Sequence, residues 1–297
     1  MIEVADLRKR YRKATAVDGL SFTVPAARIT GFLGPNGAGK TTTLRILLGL
    51  VRPTSGSATI DGVPYRGLEN PTATVGAVLE ATNFHPKRSG RNHLRVLATA
   101  AGMPNARVDE VLERVELGPV ARRAVGGYSL GMRQRLSVAG ALLGEPRLLV
   151  LDEPANGLDP EGIRWLRDFL RAYTDGGGTV FISSHVLAEV QQLADDVVII
   201  HRGRLIAHET VAALTARSAA AGGSRVRTPQ VEELRGALSA AGVEASASGE
   251  DRLQVAAPPE RVGEIAAARG IVLHELTSEA ATLEEAFLEL TRGETVA

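Results

Sequence analysis

The chain has 297 residues, 44% hydrophobic and 23% charged, enough to bury one sizeable core and a smaller second one and too apolar for a disordered or fibrous protein. Lys and Arg number 34 against 34 Asp and Glu, so the formal net charge is +0, which argues against an electrostatic grip on nucleic acid by the protein as a whole. Cysteine is absent, which excludes a disulfide framework, a thiolate nucleophile and a Cys-bound metal.

In chain order, Met1-Ile2-Glu3-Val4-Ala5-Asp6 carries acids where a secretory signal carries basic residues. No run approaches the ~18 apolar residues of a bilayer span, so none is expected. Residues 29–33, 148–151, 179–182 and 197–200 are short, branched apolar runs that read as buried strands of a largely parallel sheet. Helical patterns at 42–50, 108–115, 131–143, 162–173 and 186–193 alternate with them, which makes an α/β domain. Residues 86–145 carry ten Lys and Arg against five Asp and Glu and show no strand pattern, so they read as a helical subdomain inserted into the sheet domain. The small residues at 217–223 read as a linker between a first domain at 1–216 and a second at 224–297. In the second domain, helices at 231–241 and 259–268, a hairpin at 243–256 and a strand at 271–276 predict a small α+β unit. A final helix at 282–290 places Leu283, Phe287 and Leu290 on one face. From residue 211 onward there are eight Lys and Arg against thirteen Asp and Glu, so this end is acidic.

Gly34-Pro35-Asn36-Gly37-Ala38-Gly39-Lys40-Thr41 follows a predicted strand and opens a helix, the context in which this spacing cradles phosphate. Glycines let backbone N–H groups approach an anion, and the helix N-terminus adds its positive dipole. Lys40 is expected on the β/γ-phosphates and the Thr41 hydroxyl on Mg2+, with Gly34, Asn36, Gly37, Ala38, Gly39 and Thr42 around the nucleotide. Leu148-Leu149-Val150-Leu151 ends in Asp152-Glu153 at a sheet edge where open α/β folds bind ligands. Asp152 is expected to hold Mg2+ and Glu153 to orient and deprotonate the attacking water.

Tyr128-Ser129-Leu130-Gly131-Met132-Arg133-Gln134-Arg135-Leu136, upstream of that strand, resembles the signature motif of ATP-binding cassette (ABC) proteins. The resemblance covers about residues 1–210, with the motifs in the family's order. It implies a P-loop cassette with N-terminal antiparallel strands, a mostly parallel core and a helical insert. It also implies a homodimer sandwiching two ATP molecules. In this sequence Tyr11 matches the residue that stacks on adenine, Asn156-Gly157-Leu158-Asp159 the loop that crosses the dimer interface, and His185 the switch histidine. Ser129 and Gly131 would meet the partner's γ-phosphate, and a serine before a helix is by itself an anion site. Two departures from the pattern stand out. Glu80 stands where the family usually has a magnesium-contacting Gln, and Leu130 and Met132 replace a common Gly and Gln.

With no spanning segment, a separate membrane permease is expected to recruit the chain to the cytoplasmic face of the membrane, docking near Glu80 and the basic insert. Glu80 in place of Gln, the single cassette without a fused permease and the acidic tail resemble bacterial exporters of drugs, antibiotics or lipid-linked molecules. An importer ATPase, or a soluble ATPase acting on ribosomes or nucleic acid, is the alternative. No nucleic-acid partner is expected, and the C-terminal domain reads as regulatory or dimer-supporting.

Overall fold

The structure, a computed structural model, describes residues 1–12, 14–79, 84–221 and 223–278, with Glu284 and Phe287. The chain divides into two compact units, Met1–Glu209 and Thr210–Ala297.

The first unit begins with β1 (Ile2–Tyr11) and β2 (Ala14–Val24), an antiparallel pair that alternates buried and exposed residues. There follow β3 (Ile29–Leu33), α1 (Lys40–Leu47), β4 (Ser55–Ile60), the short α2 (Pro71–Thr74) and β5 (Val75–Val78). The insert contributes α3 (Gly90–Ala100), α4 (Ala106–Arg114) and α5 (Leu130–Leu142), with no strand among them. The unit closes with β6 (Leu148–Asp152), α6 (Pro160–Asp175), β7 (Thr179–Ser184), α7 (Leu187–Leu193), β8 (Asp196–His201) and β9 (Arg204–Thr210).

Two sheets result. One is antiparallel, in the order β2-β1-β4. The other runs β5-β6-β7-β3-β8-β9, with β5 through β8 mutually parallel. Every residue of β3 and β7 is buried, as helices over both faces of a parallel sheet require. The sheets share one core. Phe22, Phe32 and Phe181 meet there with ring centroids 5.4, 5.8 and 5.2 Å apart, beside Leu44 and Leu47 of α1. Because β6, β7 and β3 are adjacent, their carboxyl ends are neighbours: Asp152 pairs with Ser183, and Leu33 with Ser184.

The second unit contains α8 (Val211–Ala221), β10 (Ser224–Arg227), α9 (Val231–Ala240), β11 (Ala245–Ala247), β12 (Arg252–Val255), α10 (Pro259–Ala268) and β13 (Glu275–Ser278). Its antiparallel sheet runs β11-β12-β10-β13, the order of a split βαβ unit. Val226, Leu253 and Val255 from the sheet and Leu234, Leu238 and Val262 from the helices form a core of its own.

Three expectations for this unit change. The segment read as a linker is helical as far as Ala221, because an alanine-rich run is also the best helix former. A strand not anticipated, β10, is central to the sheet. The last strand lies at Glu275–Ser278 and not at 271–276. The predicted helix at 282–290 and the candidate metal residue Glu80 lie outside the described residues, save for Glu284 and Phe287, which are helical.

Candidate active site

The loop between β3 and α1 is shaped by two glycines. Gly39 has φ 109°, and a Cβ there would lie 2.4 Å from the Ala16 carbonyl oxygen. A Cβ on Gly34 would lie 2.4 Å from the Ile200 carbonyl oxygen. The backbone is therefore pressed between β2 and β8, with Asn36 and Gly37 exposed at its tip and Ala38 and Gly39 buried beneath. Thr42 lies half-buried in the first turn of α1.

Lys40 is 6% exposed, unusual for a lysine, and its ammonium is held by three oxygens. It donates to the Gly34 carbonyl at 2.6 Å and the Pro35 carbonyl at 3.4 Å, and Glu153 Oε1 lies 3.2 Å away. The other oxygen of Glu153 lies 2.7 Å from His185 Nδ1 and accepts from the His185 backbone N–H at 3.3 Å. An ionised carboxylate only accepts, so Nδ1 carries the hydrogen and Nε2 is left for another partner. Glu153 has φ 49°, a left-handed conformation that a non-glycine residue adopts only when its surroundings hold it there.

Beside this pair, Thr41 Oγ1 donates to Asp152 Oδ2 at 2.7 Å. Ser183 donates to the other Asp152 oxygen and accepts from the Glu153 N–H at 3.0 Å. Ser183 was not singled out in the sequence. Its position one residue before Ser184-His185 on a buried strand was the available signal. On α7, burial raises the Glu189 carboxyl above its ordinary range; His185 opposes the rise and Glu153 adds to it.

Six of these side chains, Lys40, Thr41, Asp152, Glu153, Ser183 and His185, thus form one connected cluster from three strand ends. Tyr11 does not join it by a hydrogen bond. It is exposed at the end of β1, pairs with Ala14, and carries the Lys9 ammonium 4.9 Å from its ring centroid. Ser129 and Asp159 cap α5 and α6, accepting from Met132 N–H at 3.2 Å and Gly162 N–H at 2.9 Å. These two helix starts are neighbours: a Cβ on Gly157 would lie 2.6 Å from Leu130, and one on Gly131 would lie 3.9 Å from Leu158.

The donor set fits a magnesium nucleotide. A hydroxyl and a carboxylate stand side by side as hard oxygen donors, and a buried ammonium lies next to them. Among the described residues no group of three or more His, Asp or Glu gathers as a metal cage.

The family described as "ABC transporter" matches residues 17–156. The bacitracin transport ATP-binding protein BcrA of Enterococcus faecalis is 40% identical over 73% of this chain and 72% of its own length. The chain belongs to the ABC transporter ATP-binding proteins. As an ABC ATPase it couples ATP hydrolysis to transport. Other ABC relatives are the lantibiotic transport ATP-binding protein SrtF of Streptococcus pyogenes, 37% identical over 69% of this chain and 89% of its own. The Nod factor export ATP-binding protein I of Burkholderia lata is 36% identical over 99% of this chain and 97% of its own. Among solved ABC structures, cbiO1 of Clostridium perfringens, part of the transporter complex cbiONQ, has a TM-score of 0.66 and 25% identity over 80% of this chain and 94% of its own. An ATP-binding subunit of another ABC transporter has a TM-score of 0.65 and 28% identity over 73% and 92%. Residues 223–284 match a domain of unknown function (DUF8746).

Proposed function

We propose that this ABC ATPase powers export of an antibiotic-like or lipid-like molecule through a separate membrane permease, hydrolysing MgATP between two copies of the chain. The observation that carries the catalytic part is Glu153, whose two carboxylate oxygens engage Lys40 and His185 while Thr41 and Asp152 meet alongside. Lys40 binds the β/γ-phosphates, and Glu153 orients and deprotonates water. His185 holds the Glu153 carboxylate in place and supports the γ-phosphate electrostatically. Thr41 and Asp152 hold Mg2+, which neutralises phosphate charge when bound. The backbone from Gly34 to Thr42 wraps the phosphates and Tyr11 stacks on adenine, leaving Ser129 and Gly131 to reach the ATP of the partner copy and Asp159 to lie at the interface. ATP draws the copies together, and loss of the γ-phosphate lets them part.

The names of the relatives support the cargo class: bacitracin, a lantibiotic and Nod factor. No helix among the described residues is long and apolar enough to cross a membrane, so the transport path belongs to a partner. A groove of about 500 Å³ lined by Val75, Leu79, Phe84, His93, Leu97 and Met103 lies between the sheet edge and the helical insert, and we place permease docking there. We assign the second unit a regulatory or dimer-supporting role.

The test is affinity purification of the Glu153→Gln variant from host membranes with Mg-ATP. A co-purifying multi-span membrane protein supports the exporter reading. Ribosomes, nucleic acid or no membrane partner overturns it in favour of a soluble ABC ATPase.

A further inference from the structure

Along α6, Trp165, Phe169 and Tyr173 lie four residues apart in a row that borders the buried stripe of the helix, Trp165 and Phe169 half-buried and Tyr173 buried. Trp165 and Phe169 stack at 5.3 Å with an interplanar angle of 18°. Both cations on this row come from the helical insert. The Arg135 guanidinium, from α5, lies 4.4 Å from the Trp165 centroid. Arg114, from the last turn of α4, lies 6.0 Å from Phe169 and 5.9 Å from Tyr173. Glu116 closes the arrangement with an ion pair to Arg135 at 2.5 Å. Arg135 is 18% exposed, so it is sandwiched between an indole and a carboxylate and not waving in water.

Indole is the best of the aromatic faces for a cation, and a planar, always-charged fork suits stacking and pairing at once. The seam joins two helices whose first residues both belong to the candidate active site: Ser129 caps α5 and Asp159 caps α6. At that end the helices also touch through Leu130 against Gly157 and Leu158 near Gly131. Two attachments along one pair of helices fix both separation and tilt, where either alone would leave a pivot.

We propose that Arg135 and Trp165, supported by Arg114, are positioning residues for ATP turnover. They set the attitude of the α5 N-terminus, and so of Ser129, relative to the loop that ends at Asp159. This rests on the reading of Ser129 as a contact to ATP across the dimer. Neither residue touches nucleotide; both act through helix orientation, so the effect belongs to the step that needs two copies and not to binding at the phosphate loop.

The test uses the full-length chain carrying Arg135→Met, Arg135→Lys, Trp165→Leu, Trp165→Phe or Ser129→Ala, assayed at a temperature well below each variant's Tm. Trp165 is the single tryptophan, so in Arg135→Met, where the indole is kept, its emission reports how its surroundings change once the guanidinium is gone. Arg135→Met and Trp165→Leu should lower kcat about five- to thirtyfold, the range from an exposed to a desolvated cation–π contact, with ATP affinity of the single chain unchanged. Arg135→Lys and Trp165→Phe should recover most of kcat. Unchanged kcat in Arg135→Met with an altered Trp165 emission, while Ser129→Ala is impaired, overturns the positioning role and leaves the reading of Ser129 intact. Unchanged kcat in Ser129→Ala overturns that reading, and the proposal with it. Weakened ATP binding by the single chain in Arg135→Met also overturns the proposal, since it places the effect at the phosphate loop.

Discussion

Glu153 Oε1 lies 3.2 Å from the buried ammonium of Lys40, so the residue assigned to activate water and the residue assigned to hold phosphate form an ion pair. The γ-phosphate, once bound, competes with Glu153 for Lys40 and frees one carboxylate oxygen for water. Replacing Glu153 by Gln keeps the shape and removes that competition. The expected outcome is ATP binding at least as tight as in the parent and phosphate release slowed about 10²- to 10⁴-fold, the usual contribution of a general base. Single-turnover phosphate release beside an ATP titration measures both.

Lys40→Ala acts on the other partner. Losing a hydrogen bond to a charged group costs about 1.5–3 kcal/mol, so ATP affinity should fall roughly 10- to 150-fold. The same variant leaves Glu153, 20% exposed, facing two carbonyl groups without its cation. Calorimetric titration with ATP in the presence of Mg2+ decides it, and unchanged affinity would remove Lys40 from the phosphate site.

Gly39→Ala tests the loop backbone without touching a functional side chain. With φ 109° and a carbonyl oxygen 2.4 Å from the new methyl, the loop must distort. Unfolding in urea should show a loss of about 1–3 kcal/mol, and nucleotide binding should weaken with it. A variant that binds ATP normally would show that the loop tolerates a different path.

The first unit is more legible in the sequence than its contacts are. Residues 34–41 and 148–153 announce themselves because phosphate binding and water activation need contiguous residues in a fixed order, and the helices and strands around them have clean periodicities. What escaped were relations between distant residues. Ser183 bonds Asp152 only because β6 and β7 are neighbours in register, and a serine at a strand end has many ordinary reasons to be there. Arg135 and Trp165 meet only after the insert folds against α6. In the second unit β10 hid because four residues with one apolar side chain, Val226, give too short a pattern. At 211–221 small size and helix propensity coincide in alanine, and propensity prevailed.

The three-ring cluster gives a stability prediction. Phe181 is fully buried against Phe22 and Phe32, and Phe181→Ala should destabilise the first unit by about 3–5 kcal/mol. Denaturant midpoints for this unit would show it, and a cost below 1 kcal/mol would mean that the core repacks into the space.

Alkaline titration should expose Tyr173. Its hydroxyl donates to the Pro146 carbonyl, and burial pushes its pKa up to about 12 from 10. An acid raised on folding contributes nothing to the pH dependence below its unfolded value, because both states are then protonated. As pH climbs from 10 to 12 the unfolded chain ionises first, and stability should fall by on the order of 2 kcal/mol. Tyr173→Phe should be less stable at pH 8 through its lost hydrogen bond yet show a flatter curve above pH 10. Identical slopes for the two proteins would refute the assignment.

The left-handed backbone at Glu153 has a consequence for anyone who engineers this chain. Glycine or asparagine would sit at that φ with less strain but would leave the buried Lys40 ammonium without its carboxylate, so a library sorted for heat resistance alone should enrich them only where position 40 has also lost its charge, and those proteins turn over no ATP. Heat tolerance and catalytic competence draw this pair of positions in opposite directions, and only a screen that scores both will keep the acid.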